Sequence, residues 1–185
     1  MQITSWNYRS LGNPKKENAV KDLLRMEPSD ILLLQETKIG EDALLLLSKT
    51  KWKKNSGMVV SASRTSGGLV TLWSEEYFLL KVSYASQHWI FTDLQHIPSK
   101  TSLALFNLYV LVNLIEKKDC WTTLSHFIET HSPDNIIVVG DLNIILDPVE
   151  KKGGVRCKDH FNELVENLIH AWDLLDFKPK KGRFT

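Results

Sequence analysis

The chain has 185 residues, of which 43% are hydrophobic and 24% charged, with six tryptophans. That is enough apolar material for one α/β domain with a sizeable core, and it excludes a disordered segment. The formal net charge of +1 excludes the strongly basic balance of many nucleic-acid binders, so any basic surface must be local. The two cysteines, Cys120 and Cys157, stand far apart and outside C-x-x-C spacing, which excludes a disulfide framework and a cysteine zinc site.

The N-terminus, Met1-Gln2-Ile3-Thr4-Ser5-Trp6-Asn7, lacks a basic region followed by an apolar one, so no secretory signal is read. Apolar runs such as Leu44–Leu47 and Ile136–Val139 fall far short of the roughly 20 residues that span a bilayer. The expectation is a soluble, intracellular protein, nuclear or cytoplasmic, with no membrane partner.

In chain order, Gln2–Asn7 reads as a first strand. Asn13-Pro14 then supplies a helix start, with Asn as N-cap, Pro at the first helical position, and Val20, Leu23 and Leu24 on the apolar face. Pro28-Ser29-Asp30 ends that helix. Ile31–Gln35 is apolar until its polar end, the pattern of a strand buried on both faces. Five further strands are predicted over Gly57–Ala62, Gly68–Trp73, Phe78–Ser86, His88–Leu94 and Ser102–Tyr109. Helical spacing of Trp121, Leu124, Phe127 and Ile128 predicts a helix near Ile115–Thr130, broken by Ser132-Pro133-Asp134. Asn135–Val139 is predicted as another buried strand, leading into Gly140-Asp141. A helix over Asp159–Ala171 should bury Phe161, Leu164, Val165 and Leu168. Gly182–Thr185 resembles a strand that has only begun. The chain therefore reads as a single domain over residues 1–185, incomplete at its C-terminus.

Three polar clusters follow apolar strands: Trp6-Asn7, Gln35-Glu36-Thr37-Lys38 and Asp141-Leu142-Asn143. In α/β sheets ligand sites gather at strand C-termini. A carboxylate held there can ligate a hard cation, since Mg²⁺ favours one or two carboxylates plus water and phosphate. Asparagine beside it can bond phosphate oxygens without adding repulsion. Each cluster also has a plainer reading. Asn7 could be a turn former or helix cap, Glu36 a solvated strand end, and Asp141 with Asn143 an Asx turn.

Taken in order, Ser5-Trp6-Asn7-Tyr8-Arg9, Leu34-Gln35-Glu36-Thr37-Lys38, Asn107-Leu108-Tyr109 and Val139-Gly140-Asp141-Leu142-Asn143 resemble the endonuclease/exonuclease/phosphatase superfamily of deoxyribonuclease I-like enzymes. Leu11-Gly12-Asn13-Pro14, Gly67-Gly68-Leu69-Val70-Thr71-Leu72-Trp73 and the closing Lys181-Gly182-Arg183-Phe184-Thr185 are similar to endonuclease domains of plant LINE-type (non-LTR) retrotransposons.

The resemblance implies a four-layer α/β sandwich: two mixed β-sheets flanked by helices, here lacking the last strands. It implies hydrolysis of phosphodiester bonds in DNA with Mg²⁺ or Mn²⁺. Glu36 would ligate the metal, with Asn7 beside it on the metal or the scissile phosphate. Asp141 would orient or deprotonate the attacking water, and Asn143 and Tyr109 would contact the phosphate. Arg9 belongs to the first motif and is grouped with the phosphate contacts. The parent protein would be a polyprotein with a reverse transcriptase domain, and the domain itself a monomer.

This chain departs from the pattern in three places. Val110-Leu111-Val112 follows Tyr109 where Gly-Pro is usual, and Ser10 replaces a glycine. The terminal Ser-Asp-His motif is missing, so impaired catalysis is expected. Of the six histidines, His88, His96, His126, His131, His160 and His170, none has that context, and they read as solvated or capping groups.

Lys151, Lys152 and Arg156, with Lys158, form a basic stretch that could follow a DNA backbone, although such loops are often merely solvated. The tryptophans, Trp6, Trp52, Trp73, Trp89, Trp121 and Trp172, read as core anchors. Two rival functions remain open: a degenerate retroelement fragment without catalysis, and a phosphatase or lipid phosphodiesterase of the same superfamily.

Overall fold

The apolar runs of the sequence become the strands of two four-stranded sheets in the computed structural model, which describes residues 1–7, 22, 29–37, 54–61, 67–146 and 159–177. In chain order these residues form β1 (Ile3–Asn7), β2 (Ile31–Gln35), β3 (Asn55–Val60), β4 (Leu69–Ser74), β5 (Phe78–Ala85), β6 (Trp89–His96) and β7 (Ser102–Tyr109). Helix α1 (Leu114–His131), β8 (Ile136–Asp141) and α2 (Asn162–Ala171) follow. The first sheet runs β1-β2-β4-β3 and the second β5-β6-β7-β8. Both are mixed, because β1 pairs parallel to β2 and β7 parallel to β8 while the remaining pairs are antiparallel.

Side-chain alternation explains how the sheets stack. Ile31, Leu33 and Trp73 of the first sheet meet Phe78, Leu94, Leu103 and Leu105 of the second in one buried cluster, with Ile137 and Val139 packed against it. The opposite face of the second sheet, with Phe91, Ala104, Phe106 and Leu108, packs on Cys120, Trp121, Leu124, Phe127 and Ile128 of α1 and Val165 of α2. Burial at this second core pushes the Cys120 thiol up to about 12, an effect that Asp119 reinforces. Its chemistry is that of a small apolar side chain.

Helix α1 is capped as its sequence directs. The Asn113 side chain accepts from the main-chain N–H groups of Ile115 (2.9 Å) and Glu116 (3.4 Å). Ser132 closes the other end in the left-handed region at φ 43°, donating its N–H to Ile128.

The two sheets are also joined by a buried polar bridge. Asn107 on β7 is fully buried and donates its amide to the carbonyl of Val70 (2.8 Å) on β4, while Gln35 on β2 donates to the Asn107 Oδ1 (2.7 Å). Satisfied in this way, the polar pair fixes how the sheets register against each other.

Several expectations need correction. Strand β8 is half-buried along its length rather than buried, because it lies at the edge of its sheet among the described residues. It also continues through Gly140 and Asp141, which are therefore strand residues. Strand β3 begins two residues earlier than predicted. Helix α2 starts at Asn162, three residues later than predicted, after a turn in which Asp159 accepts from the Phe161 N–H (3.0 Å). Its buried stripe is rotated: Leu164 is 40% exposed, whereas Asn162 is buried and donates to the Leu146 carbonyl (3.2 Å). Phe161, Leu168, Ile169 and Trp172 complete the packed face.

Trp73, Trp89 and Trp121 are core anchors as predicted, while Trp6 and Trp172 are half-buried. Of the helix predicted from Asn13-Pro14 only Asp22 is described, and it is helical; the rest of that helix, Trp52 and Gly182–Thr185 lie outside the described residues. No helix among the described residues is long and apolar enough to cross a membrane.

Candidate active site

Four strands end at one level, and their polar last residues converge there. In the first sheet Asn7 is in register with Gln35, and in the second Tyr109 is in register with Asp141. Ile137 and Val139 face the first sheet, so Asp141, two residues further along β8, faces it too. Ile3 places Asn7 on the matching side of β1 by the same alternation. The Asn7 Nδ2 donates to Oε1 of Glu36 (3.1 Å) and to Oδ2 of Asp141. One amide thereby bridges two carboxylates carried by different sheets.

Local backbone geometry aims these groups. Glu36 sits just beyond β2 at φ 53°, a left-handed conformation that turns its side chain away from the run of the strand. The next residue anchors that turn, with the Thr37 N–H donating to the Gly68 carbonyl (3.2 Å). On the other side Gly140 has φ 145°, and a Cβ there would lie 1.9 Å from the Leu108 carbonyl oxygen. Glycine is thus the one residue that brings β8 against β7 immediately before Asp141.

Both oxygens of Asp141 are held. Its Oδ1 accepts from the Asn143 N–H (3.0 Å), and its Oδ2 from Asn7. The first of these contacts is an Asx turn, so the plainer reading of Asp141-Leu142-Asn143 is present and forms part of the site's architecture. Asn143 itself adopts φ 45°, and its Nδ2 donates to the Val110 carbonyl (2.6 Å). One of its two amide hydrogens is committed to that bond. Tyr109 is 8% exposed, packed with Leu69 and Ile90, and its N–H donates to the His88 carbonyl (2.9 Å).

The structure thus brings together Asn7, Glu36, Asp141 and Asn143, with Tyr109 in register beside Asp141. Arg9, Lys151, Lys152 and Arg156 lie outside the described residues.

Sequence reasoning missed two supporting groups. One is Asn107, which entered only as the first residue of the Asn107-Leu108-Tyr109 motif, with no role in joining the sheets. The other is Lys117, a buried cation that donates to the Asn143 carbonyl (2.6 Å) and to Asp159 Oδ2 (2.8 Å). Burial pushes the Asp159 carboxyl up, but the hydrogen bonds from Lys117 and the Phe161 N–H, with the Lys117 and His160 charges, bring it below its ordinary value.

The histidines are mostly as expected. His126, His160 and His170 are exposed, and His131 stacks on Phe127 at 4.1 Å. His96 bonds Ser99 within the β6–β7 turn (2.8 Å). His88 is the correction, since it is buried at the start of β6 beside α1.

Among the described residues, the donor set at the site consists of carboxylate and amide oxygens, with no sulfur or imidazole. Such donors suit a hard divalent cation that keeps water ligands and takes one or two carboxylates, and they do not suit zinc. No group of three or more His, Cys, Asp or Glu side chains able to hold a metal occurs among the described residues, so a cation here would need further ligands from water or phosphate.

A search of curated protein sequences gives no match. Among solved structures, the chain is similar to the 3′ phosphatase NExo from Neisseria, bound to a product DNA hairpin, at 20% identity and a TM-score of 0.65. That alignment covers 92% of this chain and 70% of the other. The endonuclease domain of TRAS1, a telomere-specific non-LTR retrotransposon, aligns at 12% identity with a TM-score of 0.64, covering 92% and 71%. The AP endonuclease LMAP from Leishmania major aligns at 18% identity and 0.63, covering 82% of this chain and 58% of that one. At such identities the likeness shows the fold: two mixed sheets with helices, in the deoxyribonuclease I-like arrangement. Residues 4–177 match the model of the Endonuclease/Exonuclease/phosphatase family, and the chain belongs to that family.

Proposed function

We propose that this chain is a divalent-metal-dependent DNA endonuclease unit of a LINE-type retroelement, with its reactive centre at Asn7, Glu36, Asp141 and Asn143. One observation carries the reading. The Asn7 amide bridges the Glu36 and Asp141 carboxylates at the common end of both sheets, so two carboxylates from different sheets are held on one donor.

Glu36 would hold Mg²⁺ or Mn²⁺ with Asn7 beside it, and the ion would supply neutralisation of the charge that builds on the phosphate. Asp141 has both oxygens fixed, so it can orient a water for in-line attack and accept its proton. The remaining Asn143 amide hydrogen and the Tyr109 hydroxyl would steady phosphate oxygens. Arg9, Lys151, Lys152 and Arg156 would contact the DNA backbone further from the cut. The Gly67–Trp73 segment, the other motifs of the sequence and the TRAS1 likeness support the retroelement reading, with a reverse transcriptase as the companion domain and the nuclease unit monomeric.

A second reading is favoured by the likeness to NExo, named a 3′ phosphatase: release of phosphate from DNA ends. A substrate panel decides. Supercoiled plasmid, a duplex with an abasic site and a 3′-phosphorylated oligonucleotide are each incubated with Mg²⁺ or Mn²⁺. Cleavage of the plasmid supports the endonuclease, whereas inorganic phosphate from the third substrate alone supports the phosphatase.

A further inference from the structure

Lys117 lies in the first turn of α1, and its side chain is 4% exposed. A buried ammonium at that place is disfavoured twice, by loss of hydration and by the positive end of the helix. An apolar side chain of similar length would serve the core equally well. What the ammonium does instead is join a main-chain carbonyl to the side chain of a residue well along the sequence. It donates to the carbonyl of Asn143 at 2.6 Å and to Oδ2 of Asp159 at 2.8 Å, with the Phe161 ring centroid 5.9 Å away. Asn143 and Asp159 flank a stretch of fifteen residues, 144–158, which contains Lys151, Lys152, Arg156 and Lys158. Both ends of that stretch are therefore fastened to one atom of α1. Asn162 adds a second tie, donating to the Leu146 carbonyl (3.2 Å).

At Asn143 the consequence is complete restraint of the main chain. Its N–H is held by Asp141, its carbonyl by Lys117 and its amide by Val110, in a left-handed conformation that asparagine tolerates but does not prefer. The same N–H is one of the two donors that orient Asp141. A loop free to leave φ 45° would release that carboxylate.

We propose that Lys117 is a positioning residue: its buried ammonium fixes the Asn143 main chain, and through it the Asp141 carboxylate, by pinning both ends of residues 143–159 to α1. The proposal rests on the roles given above to Asp141 and Asn143.

Three variants test it: Lys117→Met, Lys117→Arg, and Lys117→Met combined with Asp159→Asn. The double variant removes both charges, so the loss of folding that a stranded Asp159 carboxylate would cause is avoided. In plasmid nicking, kcat is expected to fall about tenfold or more in the Met variants, since small misplacements of catalytic groups are costly. KM should stay within about threefold, and Lys117→Arg should recover part of the rate. Hydrogen exchange of the Asn143 amide should quicken about tenfold or more in the double variant, with the amides of α1 unchanged. Exchange at Asn143 indistinguishable from the parent chain would overturn the proposal. So would an unchanged kcat in a double variant whose parent is active. If the parent chain does not cut DNA, the endonuclease reading fails by itself, and the exchange measurement still decides the role of Lys117.

Discussion

Asn7 and Asp141 are 134 residues apart in sequence and lie in different sheets, yet the Asn7 amide donates directly to the Asp141 carboxylate. Because the same amide also donates to Glu36, the three residues share one constraint. That constraint is the structural core of the proposed reaction, and it can be broken without disturbing either apolar core.

Asn7→Ala should therefore separate activity from stability. Loss of one preorganised group from such a site commonly costs about a hundredfold or more in rate. The thermal midpoint should move by only a few degrees, because Asn7 is half-buried and belongs to neither core. Nicking rates and a melting curve on the same preparation check both halves.

Gly140→Ala should do the opposite. The added Cβ would meet the Leu108 carbonyl at 1.9 Å, and that oxygen belongs to the β7–β8 ladder and cannot step aside. With φ at 145° as well, a destabilisation of about 3 kcal/mol or more is expected. A urea midpoint within experimental error of the parent would contradict the close approach of β8 to β7.

Asn107→Ala removes the polar bridge between the sheets. It leaves the Gln35 amide with only Ser5 Oγ (3.2 Å) as acceptor and the Val70 carbonyl without that donor, in a dry environment. Orphaned buried groups cost about 1–3 kcal/mol each, so equilibrium unfolding should show a loss of at least about 2 kcal/mol. Asn107→Asp should be worse, since it buries a charge that cannot donate to Val70.

His88 links stability to pH. Burial lowers its pKa, and Asp119 and Glu116 on α1 only partly offset that effect. The unfolded chain, with an ordinary histidine pKa near about 6.5, then binds the proton more readily than the folded one. Stability contributed by this site is present above that value and is lost as pH falls through it towards the lowered folded pKa. Denaturant midpoints at about pH 7.5 and about pH 5.5 should fall further apart in the parent than in His88→Leu. Equal differences in the two proteins would refute the assignment.

The strands that carry the site were legible in the sequence because their signals are local. Ile31–Gln35 is apolar until its last residue, and Ser102–Tyr109 is found at the predicted bounds. Glu36, Asp141 and Asn143 stood out as polar residues at strand ends, and the structure assembles them. The Asn7 bridge was not legible, since nothing in residues 5–9 says which carboxylates its amide will reach. Lys117 was hidden for a related reason. A lysine in the first turn of an amphipathic helix looks solvated until the Asn143 carbonyl and the Asp159 carboxylate are seen to meet its ammonium. Leu164 failed in the other direction: the period was right, but Asn162 took the buried place by bonding Leu146, and the face turned with it. His88 looked like a solvated group because a strand's first residue is usually exposed, and only the packing of α1 buries it.

The most direct measurement is nicking of supercoiled plasmid by the purified chain with Mg²⁺ or Mn²⁺, set beside Asp141→Ala and a chelator control. The account predicts relaxed circles from the parent chain, abolished by EDTA and reduced at least about a hundredfold in the variant. Nicking no greater than that of Asp141→Ala with either metal, or nicking that persists in EDTA, would contradict it.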